Sequence, residues 1–308
     1  MRNDYLWDGS GAPDPEVQQL EHLLSVFRSR DRRPHTRTRW IAIAAALVMG
    51  VAAGWLVSRN APESWQVSSA RTGTGRLQVG ETLETGVGGH ATLEVGDAGM
   101  IEVEANSRLR LERARRNEQR MLLEHGLIHA FIWAPPRSFV VDTPLAVATD
   151  LGCFYTLEVG KDGAGLLHVT AGWVSFEHAG RESFIPAGAA CQTRPGYGPG
   201  TPYREEAPAP LRQALQDFDF AHGGEPALDT ILSTATRDDA FTLWHLLTRC
   251  DPAQEPRVYD RLAALVAPPA GVTRDAILQG NRQMLDRWWD QLGLGDTGWW
   301  RDLERKWP

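Results

Sequence analysis

The spacing of hydrophobic positions changes several times along the chain, and each change predicts a different kind of segment. The longest run without a charged or strongly polar side chain is residues 40–57. A helix rises about 1.5 Å per residue, so this run nearly matches the ~30 Å hydrocarbon core of a bilayer. We therefore predict a single transmembrane helix at 40–57. A cleaved signal peptide and a buried core helix are the alternatives, and the 39 residues before the run favour the membrane helix.

Charged residues on the two sides of this run predict its orientation. Six arginines lie between residues 28 and 39, whereas only Arg59 follows the run closely. Segments rich in Lys and Arg stay on the cytoplasmic side of a membrane. Residues 1–39 are therefore predicted to form a cytoplasmic arm, and the chain after the run is predicted to lie outside the cytoplasm.

The cytoplasmic arm contains one stretch with helical spacing. Asp14 and Pro15 are typical of a helix start, and the apolar residues that follow recur on one face. A single helix of this length is marginally stable in water, so its apolar face needs something to pack against. We expect a protein partner; the membrane surface and a loosely ordered tether are the alternatives. The expected partner-binding residues are Trp7, Val17, Leu20, Leu24 and Phe27.

From residue 65 to residue 195 the hydrophobic positions alternate with polar ones, as they do in strands. Gly, Asn and Asp between the alternating stretches are typical of tight turns. The pattern predicts an all-β domain at 65–195, either a sandwich or a short β-solenoid. Apolar pairs recur every eight residues at Leu93 and Val95, Ile101 and Val103, and Leu109 and Leu111.

The last third of the chain returns to a helical period. Residues 196–210 are rich in Pro and Gly and are predicted to be a linker. Residues 211–308 are predicted to form a helical domain, because its helical stretches are joined by short connections. Thr236 to Asp239 resembles a capping box. The helical candidates are 211–220, 227–235, 238–249, 257–266 and 274–292.

Composition and motifs indicate a binding or signalling protein and not an enzyme. The formal net charge is −7, and the basic residues cluster beside the predicted membrane helix, so nucleic acid is not an expected partner. There is no G-x-S-x-G elbow, H-E-x-x-H motif or phosphate-binding glycine loop. His125 and His129 lie in a strand pattern, where we expect them to face solvent. We expect no catalytic residue, no metal and no cofactor.

Four short motifs in the β region resemble a known family. They lie at 138–144 (Ser-Phe-Val-Val-Asp-Thr-Pro), 148–159, 169–174 (Val-Thr-Ala-Gly-Trp-Val) and 185–188 (Ile-Pro-Ala-Gly). Over about 75–195 the chain resembles the periplasmic domain of the FecR family of transmembrane regulators. The resemblance implies a single-pass protein of the bacterial inner membrane, with a cytoplasmic N-terminus and a periplasmic C-terminus. It also implies control of an extracytoplasmic-function sigma factor.

Gly152 and Cys153 stand where the family pattern usually has Gly-Thr. Some members of the family cut themselves at that bond, and a cysteine could do the same through a thioester. A buried unreactive thiol is the second interpretation, and a disulfide between Cys153 and Cys191 is the third. The third cysteine is Cys250, and no two of the three have C-x-x-C spacing.

Two functions remain open on the sequence. The first is a signalling regulator of the FecR type, whose arm holds a sigma factor and whose periplasmic body relays an envelope signal. The second is a membrane-anchored envelope scaffold whose outer domains bind a protein or glycan partner. In the second case the arm only sets the topology.

Overall fold

A computed structural model describes residues 15, 16, 19, 64–69 and 73–295. Pro15, Glu16 and Gln19 are helical and exposed. The predicted transmembrane helix at 40–57 and most of the predicted arm lie outside the described residues. Within the described part of the chain, no helix is both long and apolar enough to span a bilayer.

Residues 64–69 and 73–204 form a β body with sixteen strands. The strands are β1 Ser64–Ser69, β2 Gly73–Gln78, β3 Thr82–Glu84, β4 Ala91–Glu94, β5 Gly99–Val103, β6 Arg108–Arg115, β7 Glu118–Ile132, β8 Phe139–Asp142, β9 Val147–Asp150, β10 Phe154–Val159, β11 Gly165–Ala171, β12 Trp173–His178, β13 Arg181–Pro186, β14 Ala189–Arg194, β15 Gly198–Pro199 and β16 Tyr203–Arg204.

The strands form two sheets that share β7. The first sheet has the order β2-β1-β4-β5-β7-β10-β11-β14, with β15 and β16 paired to β14. The second has the order β3-β6-β7-β8-β9-β12-β13. The strand passes from one sheet to the other at Gly126, which has φ +116°. A Cβ there would lie 2.2 Å from Ser107 Oγ, so the bend requires glycine.

The two sheets face each other across one core, which makes the body a sandwich and not a solenoid. Trp65 in the first sheet donates from Nε1 to Gln119 Oε1 in the second, at 2.8 Å. Its ring centroid lies 6.2 Å from that of Phe139, also in the second sheet. A β-solenoid is built from stacked parallel strands, whereas β7 with β8 is the only parallel pair among the described strands.

The alternating pattern predicted these strands well where one face is buried. Leu93, Val95, Ile101, Leu109 and Leu111 are each 0% exposed, as the eight-residue recurrence predicts. Residues 121–124 and 127–132 belong to one long strand, β7, in which buried and half-buried positions alternate on both sides of Gly126. Strand β13 lacks this alternation, because Ser183 to Pro186 are buried on both faces.

Six α-helices follow the body within the part of the chain that the structure describes, up to residue 295. They are α1 Ala209–Phe220, α2 Gly224–Thr234, α3 Ala240–Leu246, α4 Glu255–Leu265, α5 Arg274–Leu278 and α6 Arg282–Gln291. Thr236 and Asp239 form the predicted capping box. The helix predicted at 274–292 is instead two helices, because Gly280 has φ +72° and Asn281 caps α6 by accepting from Met284 N–H at 3.1 Å.

Residues 196–210, predicted as a linker, carry β15 and β16 and pack into the structure. Thr201 and Tyr203 are buried, and Pro202 O accepts a hydrogen bond from Thr242 Oγ1 at 2.9 Å. The described residues from 64 to 295 fall into one compact unit. The helices therefore share a core with the sheets, and the Pro and Gly residues of this segment serve short strands and turns.

Candidate functional site

The turn that holds the Gly152–Cys153 bond connects β9 to β10. Gly152 has φ +87°, which favours glycine. Leu151 N–H donates to Trp173 O at 3.2 Å, and Cys153 O accepts from Ile132 N–H at 3.1 Å. Neighbouring strands therefore fix the peptide bond from both sides.

Asp150 is the last residue of β9, bonds to this turn and was not predicted as a site residue. Its Oδ1 accepts from Gly152 N–H at 2.6 Å, and its Oδ2 accepts from the Cys153 thiol. The carboxyl is 1% exposed, and burial raises its pKa to about 7. The Asp-x-Gly-Cys order was the available signal, because an Asp side chain often bonds the backbone N–H two residues later.

Cys153 is a buried thiol in this turn, 1% exposed. Burial raises its pKa well above the usual range, and the negative charge of Asp150 raises it further. The thiolate that would attack the Gly152 carbonyl is therefore scarce. Asp150 is the only basic group that the thiol contacts among the described residues. These contacts favour the buried unreactive thiol over self-cleavage, and both interpretations stay predictions.

The proposed disulfide between Cys153 and Cys191 is not formed, and all three cysteines are free. Cys153 immediately precedes β10 and Cys191 lies on β14, with β11 between these strands. Two strand spacings are about 10 Å, beyond the ~7 Å between Cα atoms that a disulfide allows. The Cys191 thiol instead donates to Gly200 O at 3.2 Å.

The turn borders a patch of outward-facing aromatic side chains on the first sheet, formed by Phe131, Trp133 and Phe154 and called here the aromatic surface. Phe154 directly follows Cys153 and pairs with Phe131 across the strands, with ring centroids 5.8 Å apart. Trp133 is 63% exposed. Since Ile132 points into the core, the alternation around it was the signal that could have predicted this surface.

The histidines singled out in the sequence form no metal site. His125 and His129 are half-buried on β7. His129 Nδ1 lies 3.0 Å from Thr156 Oγ1, and its Nε2 lies 3.5 Å from a Glu104 oxygen. Within residues 64–69 and 73–295, no group of three or more His, Cys, Asp or Glu side chains is placed to hold a metal ion.

The predicted partner-binding residues of the arm lie outside the described part of the chain. Their role therefore stays a prediction. They are Trp7, Val17, Leu20, Leu24 and Phe27.

Comparison with known families gives a match in the β body. Residues 81–175 match the family FecR, described as FecR protein. The match begins just before β3, ends within β12 and includes the Gly152–Cys153 turn. It covers less than half of the chain, and over this segment it confirms the resemblance to the FecR family.

Two solved structures are also similar to the chain, both crystal structures of a candidate anti-sigma factor from Parabacteroides distasonis. One is 15% identical over 44% of this chain, with a TM-score of 0.36, and the chain spans 63% of its length. The other is 14% identical over 50% of this chain and 75% of its own length, also with a TM-score of 0.36. No curated protein matches the chain.

Proposed function

We propose that the protein is a single-pass signalling regulator of the FecR type in the bacterial inner membrane. Its cytoplasmic arm binds an extracytoplasmic-function sigma factor, and its periplasmic body relays an envelope signal to the arm. The observation that carries this proposal is the FecR match over residues 81–175. The arginines before residue 40 support the orientation.

The position of β1 supports a relay from the body toward the membrane. This strand begins at Ser64, and six residues separate it from the end of the predicted transmembrane helix at Val57. It lies between β2 and β4 inside the first sheet. Trp65, which is 1% exposed, ties it to Gln119 and Phe139 of the second sheet. A rearrangement of the body would therefore pull on the segment that leads to the membrane.

Co-purification tests the proposal. The full-length chain, isolated from its source with mild detergent, is expected to bring down a sigma factor that mass spectrometry identifies. Replacing Leu20 and Leu24 with Asp places two charges on the apolar face of the arm. Burying each such side chain is worth roughly 1.5–3 kcal/mol. The amount of sigma factor that copurifies with the double variant should therefore be at least about tenfold lower than with the wild type.

A matched control uses the opposite face of the same predicted helix. Gln18→Asp with His22→Asp has the same four-residue spacing and adds the same charge. This variant should retain the sigma factor. Equal retention by both double variants, or absence of any sigma factor from the wild-type complex, would rule the proposal out.

The aromatic surface favours the scaffold as a second candidate, because large exposed aromatic side chains are typical of protein-binding surfaces. In that case a protein other than a sigma factor would copurify. Its recovery would depend on Trp133 and not on Leu20 or Leu24. Trp133→Ser would release it, whereas Val87→Ser, at a side chain that is 86% exposed elsewhere on the body, would not.

A further inference from the structure

A cleft lies beside the helices, away from the Gly152–Cys153 turn. It opens between the β12–β13 turn at Gly180 and the side chains of α3 and α6. Its volume is about 510 Å³, within the range of roughly 300–1,000 Å³ that is typical of small-molecule sites. No residue of the cleft takes part in the proposed relay or in the turn.

One wall of the cleft is apolar and is called here the tryptophan wall. It consists of Trp244, Trp289, Phe184 and Leu285. The ring centroids of Trp244 and Trp289 are 5.0 Å apart, and Phe184 packs edge-on against Trp289 at 5.2 Å. All four side chains are held by the core, so the wall is already formed without a ligand.

The other side of the cleft carries Arg181, Arg249 and Arg282 and is called here the arginine side. Arg249 donates to Glu182 O at 2.8 Å, to Ser183 Oγ at 2.6 Å and to Thr201 Oγ1 at 3.3 Å. All of these acceptors are uncharged. A guanidinium has five N–H donors, so two donors of Arg249 remain for a ligand.

Negative charge is in short supply at the inner end of the arginine side. Arg181 donates to Asp219 at 2.7 Å, and its buried Nε has no acceptor within the described residues. The same Asp219 also accepts from Thr201 N–H at 2.6 Å. Burial lowers the pKa of Arg249 to about 10; the charge of Asp219 opposes this shift, and the charge of Arg181 adds to it. Two guanidinium groups therefore share one buried carboxylate.

Two carboxylates line the cleft and do not bond to Arg249. Glu182 accepts from Ser175 Oγ at 2.8 Å, and its other oxygen lies 3.4 Å from Arg282 at the mouth. Asp286 lies on α6. These positions leave the donors of Arg249 open to a ligand that brings its own acceptor.

We propose that this cleft binds a small organic anion, with a carboxylate or phosphate group on the arginine side and an apolar group on the tryptophan wall. Arginine suits both anions because its planar N–H donors match their oxygens. The inference goes beyond the proposed function and does not rest on it. A sigma factor could be absent and the cleft would still bind its ligand.

Titration of the full-length chain tests the site, because Trp244 and Trp289 report on it by fluorescence. The probes are phenyl phosphate, phenylacetate and the uncharged benzyl alcohol. At least one of the two anions should bind saturably at millimolar concentration or below, and benzyl alcohol should bind at least about tenfold more weakly. The better of the two anions identifies the head group as phosphate or carboxylate.

A blocking variant locates the bound probe. Thr248 lines the cleft and is exposed, and its Oγ1 donates to His245 O at 3.1 Å. Thr248→Phe should fill the opening and weaken binding at least about tenfold. Ser233→Phe is the matched control, since Ser233 is also exposed and donates to the backbone at Asp229 O, but lies outside the cleft.

Arg282→Gln provides a second variant that leaves the core alone, because this side chain is 70% exposed. It should weaken binding of the anion and leave the melting temperature unchanged. The proposal is overturned if neither anion binds, if benzyl alcohol binds as well as they do, or if Thr248→Phe and Arg282→Gln both bind like the wild type.

Discussion

His245 accepts a hydrogen bond at Nε2 from the backbone N–H of Phe184, with 3.0 Å between the two nitrogens. Its Nδ1 lies 2.8 Å from Phe241 O, so the ring is neutral and carries its proton on Nδ1. Arg249, four residues further on, donates to Glu182 O on the same strand. The outer edge of β13 is thus covered by two side chains of the helical region, which protects an otherwise open sheet edge.

His245→Phe should destabilise the protein, because it leaves the Phe184 N–H buried without an acceptor. The expected loss is about 1–3 kcal/mol in the free energy of unfolding, measured by chemical denaturation of the full-length chain. His90→Phe is the control, since His90 is 62% exposed and its pairing with Glu104 is worth little. Equal stability of His245→Phe and the wild type would show that the bond to Phe184 contributes nothing.

The covered edge also explains which parts of the fold the sequence could predict. Leu109 and Leu111 alternate with polar residues because one face of β6 meets solvent, and that alternation is visible in sequence. Strand β13 has no such signal, since helices cover its outer side. The break at Gly280 was missed because the apolar spacing continues across it, although its backbone takes a left-handed conformation.

The site was predictable only in part, for a similar reason. Gly152 and Cys153 stood out because they align with a family motif. Asp150 did not, because its raised pKa comes from burial, which depends on strands distant in sequence. The cleft residues Arg181 and Arg249 are 68 positions apart and meet only in the folded chain.

Asp150 should make the stability of the protein depend on pH. The pKa of its carboxyl is about 7 in the fold and near 3.8 when solvated, so the folded chain holds an extra proton between these values. Its contribution to stability therefore falls as the pH rises from about 4 to 7. Asp150→Asn removes this contribution. The melting temperature of the variant minus that of the wild type should therefore increase as the pH rises from about 4 to 7.

His245 has the opposite dependence and serves as an internal comparison. Burial lowers the pKa of its imidazole from 6.5 to about 3, so the unfolded chain takes up the proton first on acidification. Stability from this group is complete above about pH 6.5 and declines below it. The Asp150→Asn variant should therefore show acid destabilisation more clearly than wild type does. A melting profile parallel to wild type would contradict the assignment of the raised pKa to Asp150.

Gly172 should tolerate no side chain, because its backbone packs against the Gly152–Cys153 peptide. A Cβ would lie 2.1 Å from Gly152 O and 3.0 Å from Cys153. Gly180 has a similar φ, +80° against +76°, but nothing within 4 Å of the added carbon. Gly180→Ala should cost about 1–2 kcal/mol from backbone strain alone, and Gly172→Ala clearly more. If chemical denaturation shows that both variants lose the same free energy of unfolding, the close approach at Gly172 is disproved.

The Gly152–Cys153 bond should stay intact in the purified protein. Its thiol is protonated over the physiological range, because burial and the charge of Asp150 both raise its pKa. The protein is denatured without reductant and treated with a thiol-reactive label. Mass spectrometry should then show one intact chain that is labelled at all three cysteines. Two fragments divided after Gly152, and abolished by Cys153→Ala, would instead establish self-cleavage.

The central claim of the proposed function is that the arm and the body lie on opposite sides of the inner membrane. Alkaline phosphatase is active only outside the cytoplasm, so fusions at two positions test the claim directly. Fused after Pro308, which leaves the body whole, the enzyme should be active; fused after Arg30, it should be inactive. Activity of the fusion at Arg30, or inactivity of a stable fusion at Pro308, would contradict a transmembrane regulator.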